Sequence, residues 1–340
     1  MSVVKHSNHY HLSKHPKNDN SKCIAVSNNG IKVYLNESAG NDIADIDSRM
    51  RLFKEFIEEP ICDRLSHNSI DDLEYAISNL EIPSDHKIRA LYKKFLDFAK
   101  DVDMIQLPEG EYDNKRYPLN YFSIAPVQLD ENDHTRDAMA VFAAPNSGKT
   151  GRVLAPNLKL FNKVYPHSKI YLFGAKPLES QPYLSGIKNI IKVELSDYNV
   201  DKLMNQHESP YLNFVRDDGE PSYVVFDDII GCLGDTKLET KILKIRDSCL
   251  LVGREARIFV ANLCHNPFSG KATVPLWSYC NKIIVFPNGI QEEHLHKAYK
   301  RLSISPKVQK YISQTKPKWI MVEQFNDPRY LVTPEYVMLL

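Results

Sequence analysis

Residues 143 to 150 read Ala-Ala-Pro-Asn-Ser-Gly-Lys-Thr, so a lysine and a hydroxyl follow directly on a glycine. An apolar stretch, Ala138 to Ala143, leads into them, and a helical pattern of Val153, Leu154, Leu158 and Phe161 leads out. Strand, turn and helix in that order point successive backbone N–H groups outward at the positive end of a helix, which is a cradle for phosphate. Read this way, Ala143, Pro145, Asn146, Ser147, Gly148, Lys149, Thr150 and Gly151 form a nucleotide-binding loop. The amides of 146–150 wrap the β-phosphate of ATP, Lys149 reaches the β and γ phosphates, and the Thr150 hydroxyl holds Mg2+. Such loops open on glycine where Ala143 stands; if the turn needs a positive φ there, the methyl group costs on the order of 1 kcal/mol.

Ser222 to Asp228, Ser-Tyr-Val-Val-Phe-Asp-Asp, is an apolar strand ending in two carboxylates. Beside a phosphate loop the first acid, Asp227, serves the metal, and the second, Asp228, polarises the attacking water. Lys149 and Asp228 are therefore the candidate catalytic residues, and Thr150 and Asp227 the candidate metal ligands. Each motif alone has a plainer explanation, a fortuitous turn in one case and a solvated strand end in the other. The spacing of about 80 residues leaves room for two intervening strands with their helices, as in a RecA-like core, and makes coincidence a poor account of the pair.

The elements that must position these residues are short and apolar. Seven strands are predicted: Ala138–Ala143, Lys169–Phe173, Ile190–Glu194, Tyr223–Phe226, Ile258–Asn262, Ile283–Phe286 and Trp319–Glu323. Continuous apolar runs suit strands buried on both faces, which predicts an α/β fold with a mainly parallel sheet, a RecA-like P-loop NTPase core over residues 107–340. A helical accessory region is predicted over 41–106, from Ile46–Glu58, Ile70–Leu80 after the Ser69 cap, and Lys87–Lys100 after the Ser84 cap. Residues 1–40 read as a flexible segment with one strand candidate, Gly30–Leu35, and Leu107–Pro126 as a linker or edge strand. His6, His9, His11 and His15 fit a polar tail better than a metal site, since no cysteine or carboxylate lies among them.

Lysine plus arginine number 43 and aspartate plus glutamate 43, so a nucleic-acid partner would need local basic patches. The cysteines at 23, 62, 232, 249, 264 and 280 lack metal-site or redox-pair spacing, which points to reduced, buried thiols. The start carries no apolar signal run and no stretch is long enough to span a bilayer, so the expectation is an intracellular protein, neither secreted nor membrane-spanning.

Together with the loop and the acidic pair, two later runs, Val-Gly-Arg-Glu-Ala-Arg-Ile-Phe-Val-Ala-Asn-Leu-Cys-His-Asn-Pro from Val252 and Tyr-Cys-Asn-Lys-Ile-Ile-Val-Phe-Pro-Asn-Gly from Tyr279, resemble the FtsK/HerA superfamily. The resemblance is to the poxvirus-type genome-packaging ATPases of large DNA viruses and virophages, and covers about residues 135–300. It places Gly253-Arg254 before the fourth core strand and Asn281 at the start of the next. Where the family carries a glutamine near the γ-phosphate, Ala261 to Pro267 hold none, so either Asn262 or His265 takes that sensor place or sensing of the γ-phosphate is altered. What the resemblance implies is a hexameric or pentameric ring of this chain that hydrolyses ATP between subunits and drives double-stranded DNA into a capsid. Capsid or portal proteins would then be partners, and the virion or the viral factory of the host cytoplasm its location. Arg254 becomes the candidate catalytic cation offered to a neighbouring subunit, with Arg257 the alternate and a structural ion pair the plainer role.

Two basic clusters could face DNA, Lys237, Lys241, Lys244 and Arg246, and Lys297, Lys300 and Arg301; solvated helix charge explains them equally. The competing functions are a nucleotide-binding structural or regulatory subunit with a degenerate loop, and a non-viral HerA-like DNA translocase.

Overall fold

The structure, a computed structural model, describes residues 9–16, 21–38, 104–107, 112–113, 117–118, 121–127, 129, 136–231, 233–325 and 328–340. The three helices expected between Ile46 and Lys100, with their serine caps, lie outside these residues.

Chain order begins with three strands, β1 (His9–Ser13), β2 (Lys22–Ser27) and β3 (Lys32–Ser38), then β4 (Met104–Gln106), a short hairpin of β5 (Tyr112–Asp113) and β6 (Tyr117–Pro118), and β7 (Phe122–Ile124). The core strands follow as β8 (Ala138–Phe142), β9 (Lys169–Gly174), β10 (Ile190–Val193), β11 (Ser222–Asp227), β12 (Ile258–Cys264) and β13 (Lys282–Val285). Three more close the chain: β14 (Ile320–Glu323), β15 (Tyr330–Val332) and β16 (Tyr336–Leu339). The main sheet runs β10-β9-β11-β12-β8-β13-β14-β15-β16-β4. Its six-stranded half from β10 to β13 is parallel, and from β13 to β4 every pairing is antiparallel. This is a RecA-like P-loop core, and all seven predicted strands are present in it.

The parallel strands are short and buried on both faces because each face has its own cover. One side of β8, β11 and β12 packs on the helix Ala155–Val164, where Phe161 sits edge-on to Tyr223, centroids 4.9 Å apart, and against Phe259 at 5.0 Å. A buried phenylalanine of this kind contributes about 2–3 kcal/mol, with up to about 1 more for the ring geometry. The Tyr223 hydroxyl donates to Asn157 Oδ1 at 2.9 Å, so the helix that leaves the phosphate loop is pinned to the strand that carries the acids. The other face packs on the helix Thr236–Val252 through Leu238, Ile242, Ile245, Cys249 and Leu250, and on Leu276 and Trp277.

Within the segment read as flexible, the described residues hold three strands, His9–Ser13, Lys22–Ser27 and Lys32–Ser38, the last overlapping the strand candidate Gly30–Leu35. β1, β3, β2 and β7 form a four-stranded antiparallel sheet whose Leu12, Ile24, Val33 and Phe122 share a core cluster with the Ala155–Val164 helix. Its pairings join residues far apart in the chain, β2 to β7 for example, a contact that local composition does not announce. Met104–Gln106, assigned to the helical region, is strand β4 on β16, and Leu107–Pro126, read as a linker or edge strand, contains β7, an edge strand of the four-stranded sheet. Three residues are too few for any periodicity to be read. Cys249, Cys264 and Cys280 are buried free thiols, pushed up by burial to about 12, 11 and 12 respectively, which leaves them unreactive at neutral pH.

Candidate active site

The site lies where the parallel strands end. β8 runs into the loop through Ala143, which stays in line with the strand: its amide donates to the Cys264 carbonyl at 3.1 Å, and it is fully buried. Ala143 is not among the residues with positive φ, so its methyl group carries no strain; the turn is made instead by Asn146 at φ 61° and Gly148 at φ 94°. Asparagine tolerates that region, and at Gly148 a side chain would meet Arg152 Nε at 2.9 Å. The Ala144 amide donates to Gly289 O at 2.5 Å and the Ser147 hydroxyl to Ala144 O at 2.7 Å, so the loop is latched from the turn after β13 and from within. Gly289 closes the second run that carried the resemblance, but nothing in that run showed that its carbonyl would hold the loop.

The first turn after Lys149 is wound as a π-helix, Thr150–Leu154, before the α-helix opens on Ala155-Pro156. Proline at the start of the α-helix gives up no bond there, and widened turns of this kind recur at functional sites. Gly151 is packed under the Tyr183 ring, which would lie 2.9 Å from any added Cβ.

Lys149 is 6% exposed and its ammonium is held on three sides. It lies 3.1 Å from Asp228 Oδ1, 2.8 Å from His265 Nδ1, and donates to the Ala143 carbonyl at 3.2 Å. His265 Nε2 is in turn 3.4 Å from Asp228 Oδ2. Asp228 reaches this position because the chain kinks at the end of β11: its φ is 52°, and its amide donates to Leu263 O at 3.1 Å on the neighbouring strand. A non-glycine residue held there stores on the order of 1 kcal/mol of strain, offset here by the cross-strand bond and the ion pair.

Asp227, on the face of β11 that meets the Ala155–Val164 helix, is buried, and its Oδ1 accepts no hydrogen bond. Burial, and then the neighbouring Asp228 charge, raise its pKa above the usual carboxylate range. The space it occupies depends on Gly174, where an added Cβ would come within 3.2 Å of the Asp227 Cβ. Lys192 crosses from β10 to bond the Gly174 carbonyl, bringing a further positive charge near this carboxylate. A glycine-bearing loop at the start of a helix, a lysine, a hydroxyl and an orphaned buried carboxylate oxygen fit a magnesium triphosphate, since Mg2+ takes hard oxygen donors. Thr150 and Asp227 are the residues that would hold the metal if it binds here.

The two sensor candidates part company. His265, just beyond β12, faces Lys149 and Asp228, whereas Asn262 is buried within the strand and donates to Cys264 Sγ at 3.2 Å. Strand alternation sends positions 262 and 264 to the same, helix-covered face, away from the loop. Asn281 is structural: its Oδ1 accepts from the Ala138 amide at 2.7 Å and its Nδ2 donates to Glu323 at 3.0 Å.

Arg254 is not brought to the loop. It lies exposed in the turn before β12, at the opposite end of the strand from His265, and a seven-residue strand spans roughly 20 Å. Arg257 shares that turn and donates to Gly219 O at 3.4 Å. Of the basic clusters, Arg246 is fully buried against Asp247 and Ala272 O, and Lys241 is tied to Asp197 and Asp201 at 2.7 and 2.8 Å, which pushes its pKa to about 12. Neither presents a phosphate contact, because both positive charges are already spent within the fold. Lys297 pairs with Glu293 at 2.5 Å and Arg301 lies over the Trp277 ring at 5.2 Å, while Lys237 and Lys244 are exposed.

No family model matches the chain, and no curated protein matches it. Among solved structures it is similar to B204, the DNA-packaging ATPase from Sulfolobus turreted icosahedral virus, at 16% identity and a TM-score of 0.39 over 58% of this chain and 97% of that one. It is similar to TcpA, the conjugation coupling protein of pCW3 with ATPγS, at 13% identity and 0.33 over 70% and 66%. The type VII secretion ATPase EccC of Thermomonospora curvata, cytoplasmic domain, is similar at 10% identity and 0.41 over 70% of this chain and 29% of that one. No helix among the described residues is long and apolar enough to cross a membrane.

Proposed function

We propose that this chain is an ATP-hydrolysing motor that moves double-stranded DNA, working as a ring of like subunits to package a viral genome into its capsid. The observation that carries the ATPase part is the meeting of Lys149 and Asp228 at 3.1 Å, from two motifs about 80 residues apart in sequence. The DNA and packaging part rests on the FtsK/HerA resemblance over residues 135–300, with Gly253-Arg254 before β12 and Asn281 before β13 as that pattern requires.

In this reading the amides of 146–150 and the Lys149 ammonium hold the phosphates of ATP, and Thr150 and Asp227 hold magnesium. Magnesium, when bound, offsets charge on the β and γ phosphate oxygens. Asp228 takes the proton of the attacking water, and His265, bonded to both Lys149 and Asp228, reads whether the γ-phosphate is present. Arg254, at the end of β12 opposite to its own loop, serves the next subunit, where such an arginine contributes roughly three to five orders of magnitude in rate.

A second reading is a nucleotide-binding structural or regulatory subunit, and one feature favours it: Lys149 is already occupied by Asp228, His265 and the Ala143 carbonyl. A HerA-like translocase of non-viral origin would share the chemistry and differ only in cargo. Steady-state ATP hydrolysis with and without duplex DNA separates a DNA motor from the structural subunit. The motor turns over ATP, is stimulated by DNA, and loses both with Lys149→Ala. Turnover unchanged by Lys149→Ala removes the loop assignment, and binding without turnover supports the structural subunit.

A further inference from the structure

One side chain from outside the Arg254 turn holds that turn at both ends. Arg136, two residues before β8, is 7% exposed; its Nη2 donates to the Leu250 carbonyl at 2.7 Å and its Nη1 to the Ile258 carbonyl at 2.6 Å. Leu250 lies in the last turn of the helix Thr236–Val252, where carbonyls have no partner within the helix, and Ile258 opens β12. A guanidinium there also opposes the negative end of the helix. Between the two clamped carbonyls the chain is wound tightly: Ile258 N donates to Gly253 O at 2.9 Å and Arg257 N to Arg254 O at 3.3 Å, with Arg257 at φ 53°. Gly253 has no room for a side chain, since a Cβ would collide with the Cys249 carbonyl. Arg136 and Arg254 line one cavity of about 430 Å3 together with Leu251 and Tyr279. Burial pulls the Arg136 guanidinium down to about 10, with the like charge of Arg254 adding to the effect, so it remains protonated at neutral pH.

We propose that Arg136 is the positioning residue for Arg254: its two-pronged bond to Leu250 and Ile258 fixes the turn that presents Arg254 to the nucleotide of the adjacent subunit. The inference rests on the reading of Arg254 as a cation acting across the subunit interface. Planar, bidentate donation is what lysine cannot reproduce, having one ammonium on a flexible stem. A turn displaced by about 1 Å at a reacting centre costs roughly 100-fold in rate.

The test uses the full-length protein with ATP and duplex DNA. Arg136→Lys should bind a fluorescent ATP analogue within about twofold of wild type while kcat falls roughly 10- to 100-fold, and amide exchange across 253–257 should rise. Mixing it with Lys149→Ala subunits, whose own Arg254 turn is intact, should restore turnover, as it should for Arg254→Ala. Arg136→Gln, keeping one amide donor without the charge, is the second variant should the lysine form not fold. Restoration of Arg254→Ala but not of the Arg136 variants places the defect in their own active site and overturns the proposal. Wild-type turnover in the Arg136 variants overturns it too. Failure of Arg254→Ala itself to be restored removes the interface reading, and this inference with it.

Discussion

Asp228→Asn is the substitution on which the site can be judged most sharply, because two effects of opposite sign are expected from one atom change. The Asp228 carboxylate lies 3.1 Å from the Lys149 ammonium. The bare attraction at that distance is about 5 kcal/mol for an effective dielectric of about 20. Lys149 is 6% exposed and Asp228 20%, so the pair falls between a surface ion pair and a buried one, and the net value after desolvation is about 1–2 kcal/mol. A phosphate approaching Lys149 must displace this carboxylate and tolerate its negative charge. Asn at 228 removes both obstacles, while His265 and the Ala143 carbonyl still hold the lysine in place. ATP should therefore bind more tightly, by roughly 5- to 30-fold. Hydrolysis should fall by about two to four orders of magnitude if the lost carboxylate is the base for water. Titration with a fluorescent ATP analogue beside steady-state phosphate release measures the two together. Affinity that falls in step with turnover would show that Asp228 supports the loop rather than the chemistry.

The other expectations concern buried charge. Asp227→Asn should abolish the dependence of ATP binding on Mg2+ and yet raise the melting temperature of the nucleotide-free protein by roughly 1–3 °C at neutral pH. Its carboxylate is raised by burial, so the folded protein holds that proton more tightly than the unfolded chain, and the wild type loses this contribution as pH rises. The advantage of the variant should thus vanish in acid; an advantage that persists there refutes the assignment. Glu323, buried beside Asn281, is pushed up to about 7 by burial, against an ordinary value of 4.5. Its contribution is fully present below about 4.5 and lost as pH rises through about 7, so Glu323→Gln should be more stable than wild type at pH 8, by at most about 3 kcal/mol, and equal to it near pH 4.5. Urea melts at the two pH values check this, and a constant difference would sink it.

Local sequence determined the parts of this protein whose physics is local. Apolar runs such as Tyr223–Phe226 are short enough and continuous enough to be strands buried on both faces, and the run from Ala143 to Thr150, with Gly-Lys-Thr between a strand and a helix pattern, is recognisable from adjacent residues alone. Those facts sufficed for a parallel core and for singling out Lys149 and Asp228, which the fold brings to 3.1 Å of each other. Tertiary structure decided what depends on which strands become neighbours. β12 lies between β8 and β11, and that order brings His265 to Lys149 while strand alternation turns Asn262 away from it. The fold also buried Arg246, tied up Lys241, and joined β1, β2 and β3 into a sheet closed by β7, the last a pairing between segments far apart in the chain. Arg136 shows the same limit, since the two carbonyls it joins lie 114 and 122 residues away along the chain. Charge and hydropathy are properties of a residue and its near neighbours, whereas a partner across the sheet is set by the packing of the whole.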